Sequence, residues 1–404
     1  MVFAKQAHDR IKKILPIIIV FIVGVAVSIS ALFLHKYKTP LPALVNDNKQ
    51  KITKTVPPGR PFFVAGWVPY WSKTKGADSL NDSLSFFDEI RPFAFGVNAD
   101  GSLVDTLKIK DAPWPSLEAQ AEKENVAIIP TVLWTDASAM HDVFSNKNLL
   151  NNHIDSIVRM LDDDNFSGVD IDYEGKDAAD RDLSSTFLEA LHNKLNVDRK
   201  TLDCTVEART QDNPPADWSG VRAMAFANDF SALDKSCDSV TVMAYDQAFQ
   251  TNGTKMSFED PSEIPHAPNA DNQWVEEVIQ YALRKISPDK LVLGVPTYGW
   301  EFELNKLPGG GYHYERFQAV SYLKALQEAK VAGVTPVRDS GGELSFVFRF
   351  AGKEHIVTFS DAEAVREKIS LAKKYGLKGI SLFKLDGLAD QKIFRIFSYP
   401  QIGS

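Results

Sequence analysis

Two observations predict an α/β fold closed into a barrel of eight parallel strands. From Phe62 onward eight short apolar runs alternate with longer amphipathic ones, as expected when each strand is followed by a helix that covers it. The fourth run, FSGVDIDYE at 166–174, sets Asp170, Asp172 and Glu174 at alternate positions, with Ile171 and Tyr173 between them and Val169 before. Alternate residues of a strand share a face, about 6 to 7 Å apart along the chain. Three acids therefore line one side, while Val169 and Ile171 on the other call for helix cover. The acids crowd toward the C-terminal end of the run, where parallel α/β folds keep their active sites. A solvated edge strand is the plainer alternative, and those apolar flanks argue against it.

The 404 residues, 44% hydrophobic and 24% charged, are ordinary globular material and long enough for a (β/α)8, or TIM, barrel of roughly 250 residues with additions. A net charge of -8 and a pI of about 5.6, with no basic cluster in the folded part, argue against a nucleic-acid partner.

In chain order, residues 1–13 form a short tail. Residues 14–34, ILPIIIVFIVGVAVSISALFL, are 21 residues without a charge, enough for a helix to cross a bilayer core of about 30 Å. This predicts a single-pass anchor, the tail cytoplasmic and the remainder extracytoplasmic, at the cell membrane. Lysines on both sides of the span leave the charge bias undecided. Residues 35–60 contain a polar stretch with four prolines, which reads as a tether. A domain at 61–400 follows.

Its strands are expected at 62–71, 91–100, 126–134, 167–174, 202–210, 238–246, 290–300 and 377–387. Helical spacing of apolar residues recurs at 182–195 and 273–286. Between the seventh and eighth strands lie some 75 residues, more than one helix needs. There 343–359 alternates like a hairpin and 313–330 reads as helix, so a small α+β insertion at about 301–360 is expected, followed by a barrel helix at 361–376. Cys204 and Cys237 are too few for a disulfide framework. Buried free thiols are the simpler reading, with one bridge as the alternative.

A row of three carboxylates repels itself, and a neighbouring like charge raises a carboxyl pKa, so at least one acid is expected to hold its proton near neutral pH. Aromatics at the strand ends, among them Trp67, Tyr70, Trp71, Trp134, Tyr298, Trp300 and Phe383, offer flat apolar faces to a ligand, although core packing is the ordinary fate of each alone. Glu207 and Arg209 alternate on the fifth strand and face either the barrel mouth or each other as a buried ion pair.

With these residues in view the chain resembles glycoside hydrolase family 18, the chitinase-like family, across essentially all of 61–400, and within it the bacterial cell-envelope members. The family hallmark D-x-x-D-x-D-x-E appears as Ser167, Asp170, Asp172 and Glu174, with serine at the first acidic position. MAYD at 243–246 and GVPTYG at 294–299 match the sixth-strand and seventh-strand motifs, and Phe383 stands where the family commonly has tryptophan. The resemblance implies that Glu174 is the general acid. Asp172 would orient the substrate's 2-acetamido group as an internal nucleophile, Asp170 would share a proton or hydrogen bond with Asp172, and Tyr245 would hold the acetamido oxygen. Asp246, Tyr298, Phe383, Trp71 and Trp300 would bind sugar. The implied activity is a membrane-anchored retaining glycosidase acting on β-linked polymers of N-acetylated amino sugars, peptidoglycan-like or chitin-like, without cofactor or metal.

A catalytically silent sugar-binding protein of the same fold is the second reading, kept open by Ser167 and Phe383 although Glu174 is present. A metal-dependent hydrolase is the third, and it lacks histidines at the strand ends.

Overall fold

A computed structural model describes residues 62–214, 220–251 and 257–397, all within one compact unit, Val56–Ser404. Eight strands form the barrel: β1 (Phe63–Val68), β2 (Glu89–Val97), β3 (Thr131–Trp134), β4 (Gly168–Tyr173), β5 (Thr201–Glu207), β6 (Ser239–Met243), β7 (Leu291–Pro296) and β8 (Gly379–Phe383). Each pairs in parallel with the next, and β8 pairs with β1, so the sheet closes.

Among the described residues at least one helix follows each strand, the main ones being α1 (Lys73–Leu80), α2 (Trp114–Glu124), α3 (Lys147–Asp163), α4 (Arg181–Val197), α5 (Phe230–Ser236), α6 (Asn272–Ala282), α7 (Ala362–Lys374) and α8 (Lys392–Ile396). Several start on a side-chain cap that satisfies free backbone N–H groups: Asn146 for α3, Asp229 for α5, Asp271 for α6 and Asp361 for α7. The main core lies between strands and helices, where Val169, Ile171 and Tyr173 of β4 are buried with Phe187 and Leu191 of α4.

Beyond β7 the chain leaves the barrel at Thr297 and enters a second, six-stranded sheet. Its order is Val337–Arg338, Leu344–Phe350, Lys353–Phe359, Tyr298–Lys306, Tyr312–Ser321 and Ser257–Asp260. The run 290–300, expected as one strand, is thus two. The segment 313–330, expected as helix, is a strand to Ser321 and a helix only over Tyr322–Ala332. Pairing with Tyr298–Lys306 decides this, since Tyr312, Tyr314 and Val320 suit a pleated surface and gain more from cross-strand contact than from helix formation. The hairpin at 343–359 turns at Ala351 and Gly352, both with positive φ, as a two-residue turn between twisted strands requires.

The anchor expected at 14–34, with its tail and linker, lies outside the described residues. The expectation of a single-pass cell-membrane protein with an extracytoplasmic domain is nevertheless corrected. Among the described residues no helix is long and apolar enough to cross a membrane. That expectation rested on the length of one apolar run, which measures capacity to span and nothing more.

The two cysteines form a disulfide between β5 and the residue that ends α5, which corrects the free-thiol reading. Spacing in sequence hid the pair: the fold brings Cα atoms 33 residues apart to 6.1 Å. Replacing both cysteines with alanine is expected to lower unfolding free energy by about 3 to 4 kcal/mol, the chain-entropy value for a loop of that length. Urea denaturation with an unchanged midpoint would show that the bridge contributes nothing.

Candidate active site

β4 lies between β3 and β5, with Asp170 level with Thr131 and Asp203, and Asp172 level with Leu133 and Thr205. Its even-numbered residues face the barrel interior, where Asp170 is 0% and Asp172 1% exposed. Asp170 is fully engaged. Its Oδ2 accepts from Trp67 Nε1 (2.9 Å) and Thr131 Oγ1 (2.8 Å), and its Oδ1 from Thr205 Oγ1 (2.7 Å). Its oxygens are taken by these donors, and Asp172 Oδ1 is buried without a hydrogen-bond partner. The hydrogen bond expected between Asp170 and Asp172 is absent from this arrangement.

Burial pushes the Asp172 carboxyl well above its usual range, with Glu174, Asp170 and Glu207 adding and Lys176 opposing. Glu174 follows the strand, its backbone N–H bonded to Trp134 O. It is raised to about 7, first by burial, then by Glu207 and Asp246, against Lys176. Repulsion among acids therefore contributes, but removal from water is the larger cause.

The next residue, Gly175, has φ of 74° and donates its N–H to Glu207 Oε1 (3.0 Å), whose other oxygen accepts from Asn228 (2.7 Å). Glu207 thus fixes the turn that carries Glu174. It makes no ion pair with Arg209, whose guanidinium lies 4.3 Å from the Phe230 ring centroid and also near Phe226 and Tyr281.

On the facing strands, burial and then the charges of Asp172, Asp246 and Glu174 raise the Tyr245 phenol far above its usual range, so it is a donor at any ordinary pH. Its ring stacks on Phe383, centroids 5.4 Å apart and planes at 10°. Gly294 makes room for it: a Cβ there would lie 3.1 Å from the Tyr245 ring and 2.8 Å from Val242 O. Asp246 has a left-handed backbone, φ 56°, and accepts on Oδ1 from both the Tyr298 hydroxyl and Trp300 Nε1 (2.8 Å).

Phe383 ends β8 at the centre of an aromatic floor with Trp67, Phe93, Tyr245 and Tyr298. Trp71, 53% exposed, extends that floor to the rim through Phe93 and Tyr70. Trp134 does not belong to the group. It is buried between barrel and helices against Phe144, His153 and Tyr173. Trp67 is buried too, and its part is the hydrogen bond to Asp170.

Asp172, Glu174, Tyr245, Asp246 and Phe383 thus gather in or just past the C-terminal halves of β4, β6 and β8, with Asp170 mid-strand in β4, and Tyr298 and Trp300 reach Asp246 from the second sheet. The family profile described as Glycosyl hydrolases family 18 matches residues 67–387. The chain belongs to glycosyl hydrolase family 18. It is a glycosidase.

Among similar proteins is the uncharacterized glycosylase YvbX of Bacillus subtilis (strain 168), 24% identical over 320 residues, 77% of this chain and 84% of that one. The cortical fragment-lytic enzyme of Bacillus anthracis is 24% identical over 308 residues, 74% of this chain but 65% of the relative's length. The crystal structure of a chitinase from Chromobacterium violaceum ATCC 12472 shares the fold with a TM-score of 0.67 at 22% identity, covering 83% of this chain and 98% of that one.

Several residues of this family 18 site were not singled out in the sequence. Asn269 accepts from the Asp246 N–H (2.9 Å) and donates to Tyr298 O (3.0 Å), while its own N–H and that of Ala270 bond to buried Glu343 (2.8 Å each). This ties the second sheet to Asp246, and no local pattern marks it. Arg91, Thr131, Asp203, Thr205 and Thr241 were also passed over, although polar residues at alternate positions in apolar strands are a readable sign of a polar barrel interior. Among the described residues no group of three or more histidine, cysteine or acidic side chains is arranged to hold a metal ion.

Proposed function

We propose that the protein hydrolyses β-linked polymers of N-acetylated amino sugars, peptidoglycan-like or chitin-like, with retention of configuration and with the substrate's acetamido group as nucleophile. The observation that carries this reading is the buried, unpartnered Oδ1 of Asp172 beside a Glu174 that burial keeps partly protonated at neutral pH. An acceptor with no donor in the free protein suits an N–H that arrives with the substrate.

Near neutrality Asp172 and Glu174 hold a proton between them. Burial by itself favours the neutral form of each. An acetamido N–H donated to Asp172 favours the charged form there, and the proton then belongs on Glu174. Glu174 gives it to the glycosidic oxygen as the bond to the anomeric carbon breaks. The acetamido oxygen, held by the Tyr245 hydroxyl, closes on that carbon to form an oxazolinium ring, a substrate-assisted route known for glycosidases. Water then adds to the same carbon, losing its proton to the Glu174 carboxylate, and the acetamido group is restored. Phe383 and its neighbours offer the apolar faces of the sugars a stacking surface, and Asp246 meets their hydroxyls.

Turnover on purified peptidoglycan and on chitin oligomers tests the substrate class. New reducing ends are expected from at least one polymer, initially in the β configuration. No release from either, or an initial α product, would sink this reading.

A further inference from the structure

Beneath the acids the barrel interior holds a guanidinium. Arg91 of β2 is 0% exposed. Its Nε binds Glu89, Nη1 donates to Thr241 Oγ1 (2.8 Å), and Nη2 donates to Asp203 Oδ2 (3.2 Å). Nη1 also stands 3.8 Å from Asp170 Oδ1, and the guanidinium lies 5.5 Å from the ring centroid of Trp67, the indole that bonds to Asp170. Barrel interiors are usually filled by branched apolar side chains. Burying a cation among three carboxylates carries a desolvation cost that packing does not require.

The charged groups facing Arg91 are Glu89 from β2, Asp170 from β4 and Asp203 from β5; β1 and β6 contribute Trp67 and Thr241. Burial, only partly offset by Arg91, raises Glu89 to about 8, with Asp203 adding to the rise. Glu89 therefore keeps a proton near neutral pH, and Asp203 and Asp170 are the other carboxyl groups beside the guanidinium. Of the groups around Asp170, Trp67 and Arg91 can only donate. A protonated Asp170 would leave them facing a poorer acceptor. Burial raises the Asp170 carboxyl above its usual range, and Arg91 first, then Trp67, Thr205 and Thr131, oppose that rise.

We propose that Arg91 is a positioning residue for hydrolysis: it holds Asp170 as an anion engaged with the barrel floor, which leaves Asp172 free to serve the acetamido group and to exchange its proton with Glu174. This inference rests on the role given to Asp172 above. Arg91 touches no substrate, and it acts through Asp170. If Asp170 took up a proton it would offer that proton to Asp172, drawing Asp172 down and away from the sugar.

The test is the pH dependence of kcat for Arg91→Met, Arg91→Lys and Trp67→Phe, each also made in an Asp170→Asn background. Arg91→Met and Trp67→Phe should lower kcat by severalfold to roughly a hundredfold, the range for members of one hydrogen-bonded network, with KM little changed. Their acid limb should move to higher pH, because Asp170 loses a group that favours its charged form. Arg91→Lys should restore much of the wild-type profile. In the Asp170→Asn background, where that position no longer titrates, the limb should not move. Should Arg91→Met fail to fold, Trp67→Phe, which deletes one donor, carries the same comparison.

A lowered melting temperature with an unmoved limb would overturn the proposal and leave Arg91 a structural residue. An equal shift with Asp170→Asn in place would also overturn it. Wild-type inactivity on both polymers removes the reading of Asp172 and this inference together. An active wild type with unmoved limbs in the variants removes only this inference.

Discussion

Glu174→Gln is expected to fold and bind sugar nearly as the wild type does while kcat falls by roughly two or more orders of magnitude, the contribution of a positioned acid. Glutamine keeps the shape and the hydrogen-bonding reach, so its turn on Gly175 and Glu207 should survive. What it lacks is a transferable proton. The same assignment sets the direction of the pH dependence. The acid must be protonated to act, and burial, Glu207 and Asp246 raise it to about 7, so kcat/KM should be sustained below about pH 7 and fall as pH rises through that value. Glu174→Gln should lose that alkaline limb along with the rate. Activity within severalfold of wild type, or an alkaline limb unchanged in the variant, would take the acid role away from Glu174.

Asp172→Asn is expected to lower kcat steeply and, in the same variant, to remove the preference for a thiazoline analogue of the oxazolinium ring over the parent sugar. Such an analogue resembles a state the site is proposed to favour, and catalysis requires tighter binding of that state than of the ground state. The charge of Asp172 matters only once the ring nitrogen carries positive character. The plain sugar should therefore bind the variant about as before, because an amide oxygen still accepts a neutral N–H. Substrates with a free amine at the same carbon should not be cut at that residue, having no internal nucleophile. A glycosyl ester trapped on Asp172 or Glu174, or cleavage beside a de-acetylated sugar in that site, would overturn the mechanism while leaving the chain a glycosidase.

These expectations began with residues close together in the chain, and that is where the sequence was most informative. Alternation within 166–174 was enough to put Asp170 and Asp172 on one face and Val169 and Ile171 on the other, because side-chain direction in a strand depends only on local geometry. Eight runs of suitable length with helices between them leave few topologies other than a closed parallel sheet. Tyr245 and Asp246 could be found because they close the short motif MAYD just past β6, and Tyr298 because it lies in GVPTYG, which runs from β7 into the second sheet.

Non-local pairing escaped such reading. The helix expected at 313–321 became a strand because Tyr298–Lys306 lies beside it, and the neighbouring Ser257–Asp260, which pairs with it, comes from before β7. The family resemblance suggested that Asp170 would turn to Asp172, two residues away. The folded barrel supplied Trp67, Thr131 and Thr205 instead, 103, 39 and 35 residues distant. Cys204 and Cys237 met for the same reason, and Glu207, open between the barrel mouth and a pair with Arg209 in the sequence, found Gly175 and Asn228.

By itself, then, the sequence determined the barrel, the row of acids and the motif residues at its mouth, since each follows from local geometry and hydrophobic pattern. The tertiary structure alone decided which acid is satisfied, which is left buried with an open acceptor, and what charge lies beneath them. Those properties depend on burial and on donors from distant strands, and a carboxyl group's protonation and readiness to react are set by such surroundings rather than by its neighbours in the chain.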